Sequence, residues 1–498
     1  MRKTRSGNRR WKAAQHSGAG CKGDFRGGYM TVYLALVTGI LLSLILTVVE
    51  GARRSTIRMH IECCADMALD SALAEYHREM LKQYELFFID TSYGTGDPSF
   101  HRTEDHIRDY MEKNLRPREE FSIPLAKDIT GLYTDEVRLL QAGLATDEDG
   151  EVLKYHVVQY MKDQSGLSLA EAILDRGGQA ENWQGQDMEG EWDAAEEAMK
   201  EEIRYKKRLQ DEDWDGEIPE TPSDAVRATR GEGILGAAAR GMQVSSAVIG
   251  NESRPSVRRL NQGTGLSEAK EPADGLLENG LLYAYILEKC GFFGAEKENS
   301  ALSYEVEYIL QQQTSDRENL KRTAQELLLI REAANVAFLF GSSLRNEAKA
   351  AAAAIALLLA VPDAAESIET VILFAWAYAE SVKDIHILLC GDKVPILKTQ
   401  ETWNTPFSRL LTYRMHLDSY HAPASGWDYQ DYLGALLFLH GADRAVMGLM
   451  DVMESDIQRT PGNSGFRMDG LIDGMEAEIY VTSSYGGTYN IKRTYEYE

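Results

Sequence analysis

The sequence predicts a mainly α-helical protein with a single N-terminal transmembrane helix that continues into a long amphipathic helix. A large helical extracytoplasmic domain follows, with a small C-terminal β-hairpin. Three features indicate this fold class: one uncharged apolar segment of 22 residues, helical periodicity through most of the remainder, and an alternating segment at the C-terminus. The length of 498 residues suggests about two to four domains or subdomains.

Composition and charge exclude several classes of protein. Hydrophobic residues make up 44 % and charged residues 26 %, as in ordinary folded proteins, which excludes a wholly disordered or collagen-like chain. A net charge of -25 argues against a nucleic-acid partner, because binding to phosphates needs a basic surface. The five cysteines include no CxxC pair, so neither a disulfide framework nor a zinc ribbon is expected.

The N-terminus has the charge pattern of a membrane anchor. Residues 1–27 form a basic arm of net charge +7, which leaves -32 for the rest of the chain. The segment 28–49 then runs 22 residues without a charge. As a helix it would span roughly 33 Å, enough for a hydrocarbon core of about 30 Å. The arm predicts a cytoplasmic N-terminus and a single-pass protein of the cell membrane, with its bulk outside the cytoplasm.

Two alternatives compete with an anchor. A cleaved secretory signal has a shorter apolar region, of about 7–15 residues, and small residues at its cleavage site. Here the apolar run is longer. The nearest candidate cleavage site, Glu50-Gly51-Ala52, has an acid at the first of the two positions where a signal peptidase requires a small residue. A buried core helix is the other alternative, and an apolar 22-mer behind a basic arm is rarely that. The flanks of the predicted span are Arg26, Glu50, Arg53 and Arg54.

The junction between arm and span carries a family resemblance. It reads RGGYMTVYLAL from Arg26, and the far end of the span reads VVEGARR. This pattern resembles the minor pseudopilins of tight-adherence (Tad) pilus systems, the TadE/TadG-like proteins. It is most similar to a poorly characterised family of large single-span proteins of Gram-positive anaerobes that are encoded beside such pilus genes. The segments ECCADMALD, IREAANVAFLF and FAWAYAESVKD also resemble that family.

The resemblance implies a processing site and a set of partners. In pseudopilins a membrane peptidase cuts after the glycine, which here would be Gly28 and would leave Tyr29 first. The fifth residue would then be Tyr33, where pseudopilins have the glutamate that guides packing into the filament. The implied partners are other pilus or secretion-system subunits, a prepilin peptidase and the lipid bilayer.

The region after the span predicts a long helix. Over residues 50–90, apolar side chains recur every three or four residues, as on one face of an amphipathic helix. These side chains are Ile61, Ala65, Ala68, Ala72, Tyr76, Met80, Tyr84 and Phe87. The helix is expected to run to about Ile89, before a Gly- and Pro-containing stop. A pilin-like stalk and a plain juxtamembrane helix are equally compatible with this pattern.

Three regions are expected beyond that helix. Residues 91–210 are polar and mostly helical in pattern, and residues 211–275 are rich in Gly, Pro, Ser and charge, which predicts a flexible linker or insertion. Residues 276–498 are expected to form a helical domain. In it, two apolar runs at 350–361 and 370–379 are too short to span a bilayer, so they predict a buried helical hairpin, with a re-entrant membrane contact as the alternative.

Two local signals complete the expected helical domain. The alternating tail around Gly486-Gly487 predicts a β-hairpin. Ser315 and Glu318 predict a capping box before NLKRTAQELLLIREAANVAFLF, and Asp428 is expected to begin another helix. Both signals depend only on short stretches of sequence.

The search for catalytic or ligand-binding motifs favours none, so the chain is not expected to be an enzyme or to hold a cofactor or metal. GEGILG at 231–236 matches the dinucleotide fingerprint but follows a polar, proline-bearing segment rather than a strand. Histidine pairs five residues apart are poorly spaced for one helical face. The side chains of Cys63 and Cys64 would point about 100° apart on a helix, so they are poorly placed to share a metal or to form a disulfide. Cys390 lies four residues after His386, but no third residue that could orient the histidine is identifiable.

An aromatic cluster is the candidate interaction patch. It consists of Trp403, Tyr420, Trp427, Tyr429 and Tyr432. Such a cluster can bind another subunit or a glycan, while the alternative is that these rings close the core of the domain. The function that the sequence predicts is a membrane-anchored structural or assembly component of a Tad-type pilus or secretion apparatus. The alternative is a membrane-tethered binding or adhesion module unrelated to pili.

Overall fold

A computed structural model describes most of the chain and confirms the mainly helical fold class. The described residues are 26–116, 131–164, 166–211, 214, 216, 218, 221–230, 233–250, 254–266, 273 and 275–497. The chain divides into two compact units, Met1–Cys63 and Cys64–Glu498, of which the structure describes the residues just given. The basic arm up to residue 25 lies outside the described residues, as do residues 231 and 232 of the GEGILG motif.

The first helix, α1, spans Arg26–Leu73 and contains the predicted membrane segment. It ends well before Ile89, where the sequence predicted its end. The reason is a backbone pairing within the predicted helix: Tyr76 forms a β-bridge with Ile89, and the His77 N–H donates to the Phe88 carbonyl at 2.7 Å. The imidazole of His77 then accepts from Met80 N–H and caps a second helix. Most side chains of the predicted apolar stripe are nevertheless buried, whereas Tyr76 is half-buried and Phe87 is exposed.

The remaining helices form most of the second unit. In chain order they are α2 (Arg78–Tyr84), α3 (Phe100–Leu115), α4 (Glu151–Asp163), α5 (Leu167–Glu181), α6 (Met188–Gln210), α7 (Pro222–Arg230), α8 (Ile234–Ala238), α9 (Leu276–Lys289), α10 (Glu305–Gln311), α11 (Asp316–Gly341), α12 (Arg345–Leu358), α13 (Ala365–Leu389), α14 (Tyr429–His440) and α15 (Ala442–Gln458). Short 3₁₀ segments lie at Asp147–Gly150, Pro362–Ala364, Phe407–His416 and Met468–Gly470.

Four strands form one antiparallel sheet: β1 (Ile89–Asp90), β2 (Leu132–Leu144), β3 (Leu471–Ser483) and β4 (Thr488–Glu496). Strand β3 is central. It pairs with β2 along its length, with β4 over residues 474–482, and with β1 at its start. The predicted C-terminal hairpin is confirmed as β3–β4, and Gly486 and Gly487 at its turn adopt φ of 91° and 118°, which favours glycine. Strand β2 was not predicted within the polar region.

Helix α13 lies at the centre of the helical core. It is buried on all sides from Ile368 to Leu389 except at Thr370, which is half-buried. Helix α12 packs against it through Ala348, Ala352 and Ala356, and the 3₁₀ turn at Pro362–Ala364 joins the two. The predicted pair of helices is therefore present, but only α13 is buried on all sides, because Leu357 and Leu358 of α12 are exposed. The two predicted helix starts are also present. At α11 the Ser315 side chain accepts from the Glu318 N–H, and at α14 Asp428 and Asp431 form a complete capping box.

The described residues of 211–275 differ from the expected flexible linker. Helices α7 and α8 lie within this range, and Val226, Ile234 and Ala238 are buried. Further along, Arg258 is ion-paired to both Glu454 and Asp469 at 2.6 Å. The Gly- and Pro-rich composition indicated a linker because it lacks a regular apolar period, but scattered apolar residues of this range are buried and Arg258 forms ion pairs, and periodicity reports neither.

Two adjacent glycines in helix α5 give a direct test of its packing. A Cβ built on Gly177 would lie 2.3 Å from the Phe438 ring, whereas one on Gly178 would meet nothing within 4 Å. We expect Gly177→Ala to destabilise the protein by about 1–3 kcal/mol through overpacking. Gly178→Ala should stabilise it by about 0.5–1 kcal/mol through helix propensity. Urea unfolding of the two variants measures both effects, and equal midpoints would contradict the contact with Phe438.

Candidate functional site

The clearest functional feature of the first unit is an apolar helical surface. Within the part of α1 from Tyr29 on, the best 18-residue window has a mean hydropathy of 2.6 and no buried residue. Exposed large side chains include Tyr29 at 80 % and Leu46 at 60 %. An exposed apolar helix of this length is a candidate membrane span. Among the described residues no other single helix qualifies, although two sharply bent helix pairs would if each were one span.

The end of this span is flanked by paired charges. Glu50 lies 3.6 Å from Arg53 and 2.9 Å from Arg54, and Arg58 lies 3.0 Å from Glu62. These exposed pairs contribute little to stability, but they keep the charge of the flank nearly balanced where the apolar surface ends. At the other end Gly28, the candidate processing position, lies in the first turns of α1, next to the exposed Tyr29.

Two residues of the candidate aromatic patch are buried. Tyr429 is 5 % exposed and Tyr432 is 1 % exposed. The Tyr429 hydroxyl donates to Glu307 at 2.9 Å, and the Tyr432 hydroxyl donates to the Val394 carbonyl at 3.3 Å. Neither ring is therefore available to bind a partner at the surface.

The other three aromatic residues are half-buried against the core. Trp403 stacks on Phe338 with ring centroids 5.5 Å apart, and Trp427 meets Tyr432 edge-on at 5.1 Å. The Tyr420 hydroxyl donates to Asp392 at 2.6 Å. The five residues thus do not form one surface patch. They mainly close the core, which was the alternative interpretation of this cluster.

A buried network of charged side chains lies between helices α11 and α13. Lys398 Nζ lies 2.5 Å from Glu380 Oε1 and 2.6 Å from Asp384 Oδ1, and the side chains of all three are at most 1 % exposed. Asp384 Oδ2 lies 3.0 Å from Arg331 Nη2, whose side chain is completely buried. Asn335 also donates to Asp384 at 3.0 Å. Two cations thus contact two carboxylates directly, and the buried Lys383 also interacts electrostatically with both acids.

The pKa direction of Asp384 agrees with an ionised carboxylate in this network. Burial disfavours the charged form of Asp384, but the Lys398 and Arg331 charges outweigh this and lower the pKa of its carboxyl group. Sequence reasoning did not identify this network. The sequence nevertheless contains a sign of it. Arg331 and Asn335 lie four residues apart in an apolar helical segment, as do Glu380 and Asp384, and polar residues at this spacing share one face of a helix.

A second group of buried acids surrounds helix α10. Burial is the largest cause that raises the pKa of Glu305, and the nearby Asp456 carboxylate raises it further. The Tyr84 hydroxyl donates to Asp456 at 2.8 Å. Burial also raises the pKa of Glu307 to about 7. The hydrogen bonds from the Phe293 N–H and the Tyr429 hydroxyl lower this pKa, but burial has the larger effect. These groups connect α2, α10, α14 and α15.

The cysteine and histidine candidates do not form a catalytic arrangement. His386 Nε2 lies 3.7 Å from Cys390 Sγ and 3.1 Å from the Asp418 carboxylate, while its Nδ1 lies 2.7 Å from the Ala238 carbonyl. Asp418 thus contacts the same nitrogen as the thiol and does not orient the ring from behind. Burial raises the pKa of Cys390, which disfavours the thiolate. Within the described ranges, no group of three metal-ligating side chains comes together.

A polar cavity of about 580 Å³ lies in the second unit, between the turn at 146–149 and the segment 255–265. Its walls include the acids Asp147, Glu148 and Asp149 and the bases Arg258 and Arg259. Asp147 already accepts from two backbone N–H groups, at Leu144 and Gly263. Sequence reasoning gave no role to these residues.

The comparisons with known proteins give a family but no function. A family model described as a family of unknown function, DUF5702, matches residues 212–483. The match covers more than half of the chain, which therefore belongs to this family. No curated protein and no solved structure matches the chain.

Proposed function

We propose that this member of the DUF5702 family is a membrane-anchored structural or assembly component of a Tad-type pilus or secretion apparatus. The observation that carries the anchoring is the exposed apolar surface of helix α1 from Tyr29 to Val49. The pilus assignment is supported by the resemblance of the Arg26–Leu36 junction and the closing Glu50–Arg53 segment to Tad pseudopilins. The basic arm favours a cytoplasmic N-terminus and an extracytoplasmic second unit.

The mechanism in this proposal is mechanical. The anchor holds the protein in the bilayer, and surfaces of the second unit bind other subunits of the apparatus. The buried network of Arg331, Glu380, Asp384 and Lys398 suits this role, because it holds two long helices in one register rather than facing a substrate. An adhesion module is less favoured, since the aromatic residues proposed for it are largely occupied in packing.

The first test is the N-terminal sequence of the mature protein from membrane and sheared-surface fractions of the native cells. If a prepilin-type peptidase recognises the junction, the mature chain begins at Tyr29, and Gly28→Leu retains the basic arm because the bulky side chain blocks cleavage. Gly39→Leu, within the same helix, is the control and should be processed normally. A wild-type chain that keeps its arm would contradict pseudopilin processing and favour a permanent scaffold.

The pilus role has its own test. Deletion of the gene should abolish piliation without loss of a hydrolytic activity of the cell envelope. Normal piliation with lost adherence would contradict the pilus assignment and support the adhesion alternative. Restoration of pili by the wild-type chain, measured by electron microscopy, controls for effects on neighbouring genes.

A further inference from the structure

The antiparallel sheet of the second unit has one outer edge, formed by β2, whose backbone is occupied. The Leu139 N–H donates to the Glu104 carboxylate at 2.8 Å. The Ala142 N–H donates to the Thr264 hydroxyl at 3.1 Å, and the Ala142 carbonyl accepts from the Thr264 N–H at 2.8 Å. Unpaired backbone groups at a sheet edge can bind a further strand, and these contacts prevent that at β2.

The other outer edge is formed by β4, and its hydrogen bonds to β3 follow a clear alternation. The Ser483 N–H donates to the Gly487 carbonyl, and the Tyr497 N–H donates to the Asp473 carbonyl, each at 3.0 Å. In an antiparallel pair such bonds recur at every second residue, so the odd-numbered residues of β4 bond to β3. The backbone groups of the even-numbered residues point outwards. These residues are Thr488, Asn490, Lys492, Thr494 and Glu496.

The outward edge of β4 is open within the part of the chain that the structure describes. Of its outward backbone groups, only the Lys492 carbonyl accepts a hydrogen bond there, from the Arg493 guanidinium at 3.2 Å. The side chains of the five outward residues are exposed as well. A free edge of this length is a template for one more antiparallel strand.

The charges along this edge favour a second copy of β4 as that strand. Two copies can pair antiparallel about a two-fold axis, so each register is defined by the residue that faces itself. With Thr494 at the axis, Lys492 of each copy faces Glu496 of the other. Glu496 is the only acid of β4, so no other register pairs Lys492 with an acid of this strand. With Lys492 at the axis the two lysines would face each other, which is destabilising.

Both charged side chains are accessible for this pairing. Glu496 is exposed and forms no ion pair with another described residue. Lys492 lies 2.8 Å from Glu476 of its own chain, but its side chain is 56 % exposed. One lysine can contact a carboxylate on each side, since its ammonium group has three donors.

We propose that β4 pairs antiparallel with β4 of a second copy of this chain, with Thr494 at the two-fold axis. The outward backbone groups of Lys492, Thr494 and Glu496 bond to those of the same three residues in the other copy. The two sheets thereby become one continuous sheet. The pairing concerns the second unit alone and does not depend on the proposed pilus role.

The first test is the oligomeric state of the full chain in detergent, measured by light scattering after size exclusion. Thr494→Pro removes an outward N–H and blocks the pairing, but it leaves the bonds to β3 in place. Thr488→Pro, the control, makes the same change at an outward position beyond the paired residues. We expect a dimer for the wild type and for Thr488→Pro, and a monomer for Thr494→Pro. A monomeric wild type, or a dimer that survives Thr494→Pro, would overturn the proposal.

The second test uses charge reversal and needs no proline. Lys492→Glu or Glu496→Lys alone places like charges opposite each other in both pairs, so the dissociation constant of the dimer should rise by roughly tenfold. An equal mixture of the two variants restores opposite charges in both pairs and should dimerise as the wild type does. A mixture that dimerises no better than its components would refute this pairing, even if Thr494→Pro fails to fold.

Discussion

Lys398→Met is expected to lower the free energy of unfolding by about 3–5 kcal/mol, because it leaves buried carboxylates without their main counter-charge. Lys398 Nζ contacts Glu380 at 2.5 Å and Asp384 at 2.6 Å. Arg331 still pairs with Asp384 in the variant, whereas Glu380 keeps the hydrogen bond from the Asn404 N–H at 2.9 Å and the electrostatic interaction with Lys383. We therefore expect the loss of the ion pair with Glu380 to account for most of the lost stability.

The measurement is urea unfolding of the full chain in detergent, followed by tryptophan fluorescence. Lys393→Met is the matched control, because Lys393 forms a half-exposed pair with Asp428 at 3.9 Å. That pair should contribute about 0–1 kcal/mol. A midpoint for Lys398→Met equal to that of Lys393→Met would refute the role given to the network.

A double variant separates lost charge from lost packing. Lys398→Met with Glu380→Gln removes one cation and one anion together, so the net charge of the network does not change. We expect the double variant to recover part of the stability lost in Lys398→Met, since the uncompensated carboxylate is gone. No recovery would show that packing of the lysine side chain, rather than its charge, stabilises this region.

Glu307 is expected to make the protein less stable as the pH rises. Its pKa is raised from 4.5 to about 7 by burial, so the folded state binds a proton more tightly than the unfolded state between these values. The contribution to stability is fully present below pH 4.5 and is lost as the pH rises through about 7. Between pH 5.5 and pH 8 the loss should be about 2 kcal/mol.

The comparison of wild type with Glu307→Gln measures this loss. Glutamine stays neutral and retains an oxygen to accept from Phe293 N–H and the Tyr429 hydroxyl, each of which donates at 2.9 Å. The stability difference between the two proteins should therefore change by about 2 kcal/mol over this pH range in favour of the variant at high pH. Glu347→Gln, at an exposed position of α12, should show no such change. A pH-independent difference for Glu307→Gln would contradict the raised pKa.

The local features of the fold were predictable because each depends on a short stretch of sequence. An uncharged run of 22 residues is enough to indicate a membrane-length helix, whatever follows it. The glycine pair at 486–487 between alternating residues is enough to indicate the β3–β4 hairpin. Asp428 ahead of α14 is likewise a helix cap that can be recognised from its neighbours alone.

Most of the missed features depend on partners far away in the chain. Strand β2 is held by β3, whose partner residues lie more than 300 positions away, for example Leu132 opposite Ser483. The early end of α1 depends instead on a bridge within the predicted helix, from Tyr76 to Ile89. Arg258 was placed in a predicted linker because its partners, Glu454 and Asp469, lie about 200 residues further on. Propensity and periodicity do not report such pairings.

The membrane-length helix, the mainly helical class and the C-terminal hairpin could all be predicted from sequence, because hydrophobicity, helical period and turn residues act locally. Which polar residues are buried and which aromatic residues are exposed depends on the packing of the whole second unit. Arg331 and Lys398 read as ordinary helix and loop cations until the fold places Asp384 against both. The sequence left open whether Tyr432 belongs to a surface patch or to the core, and the fold buries it. Burial and charge pairing are set by long-range contacts, and these also determine the free energy of each charged group.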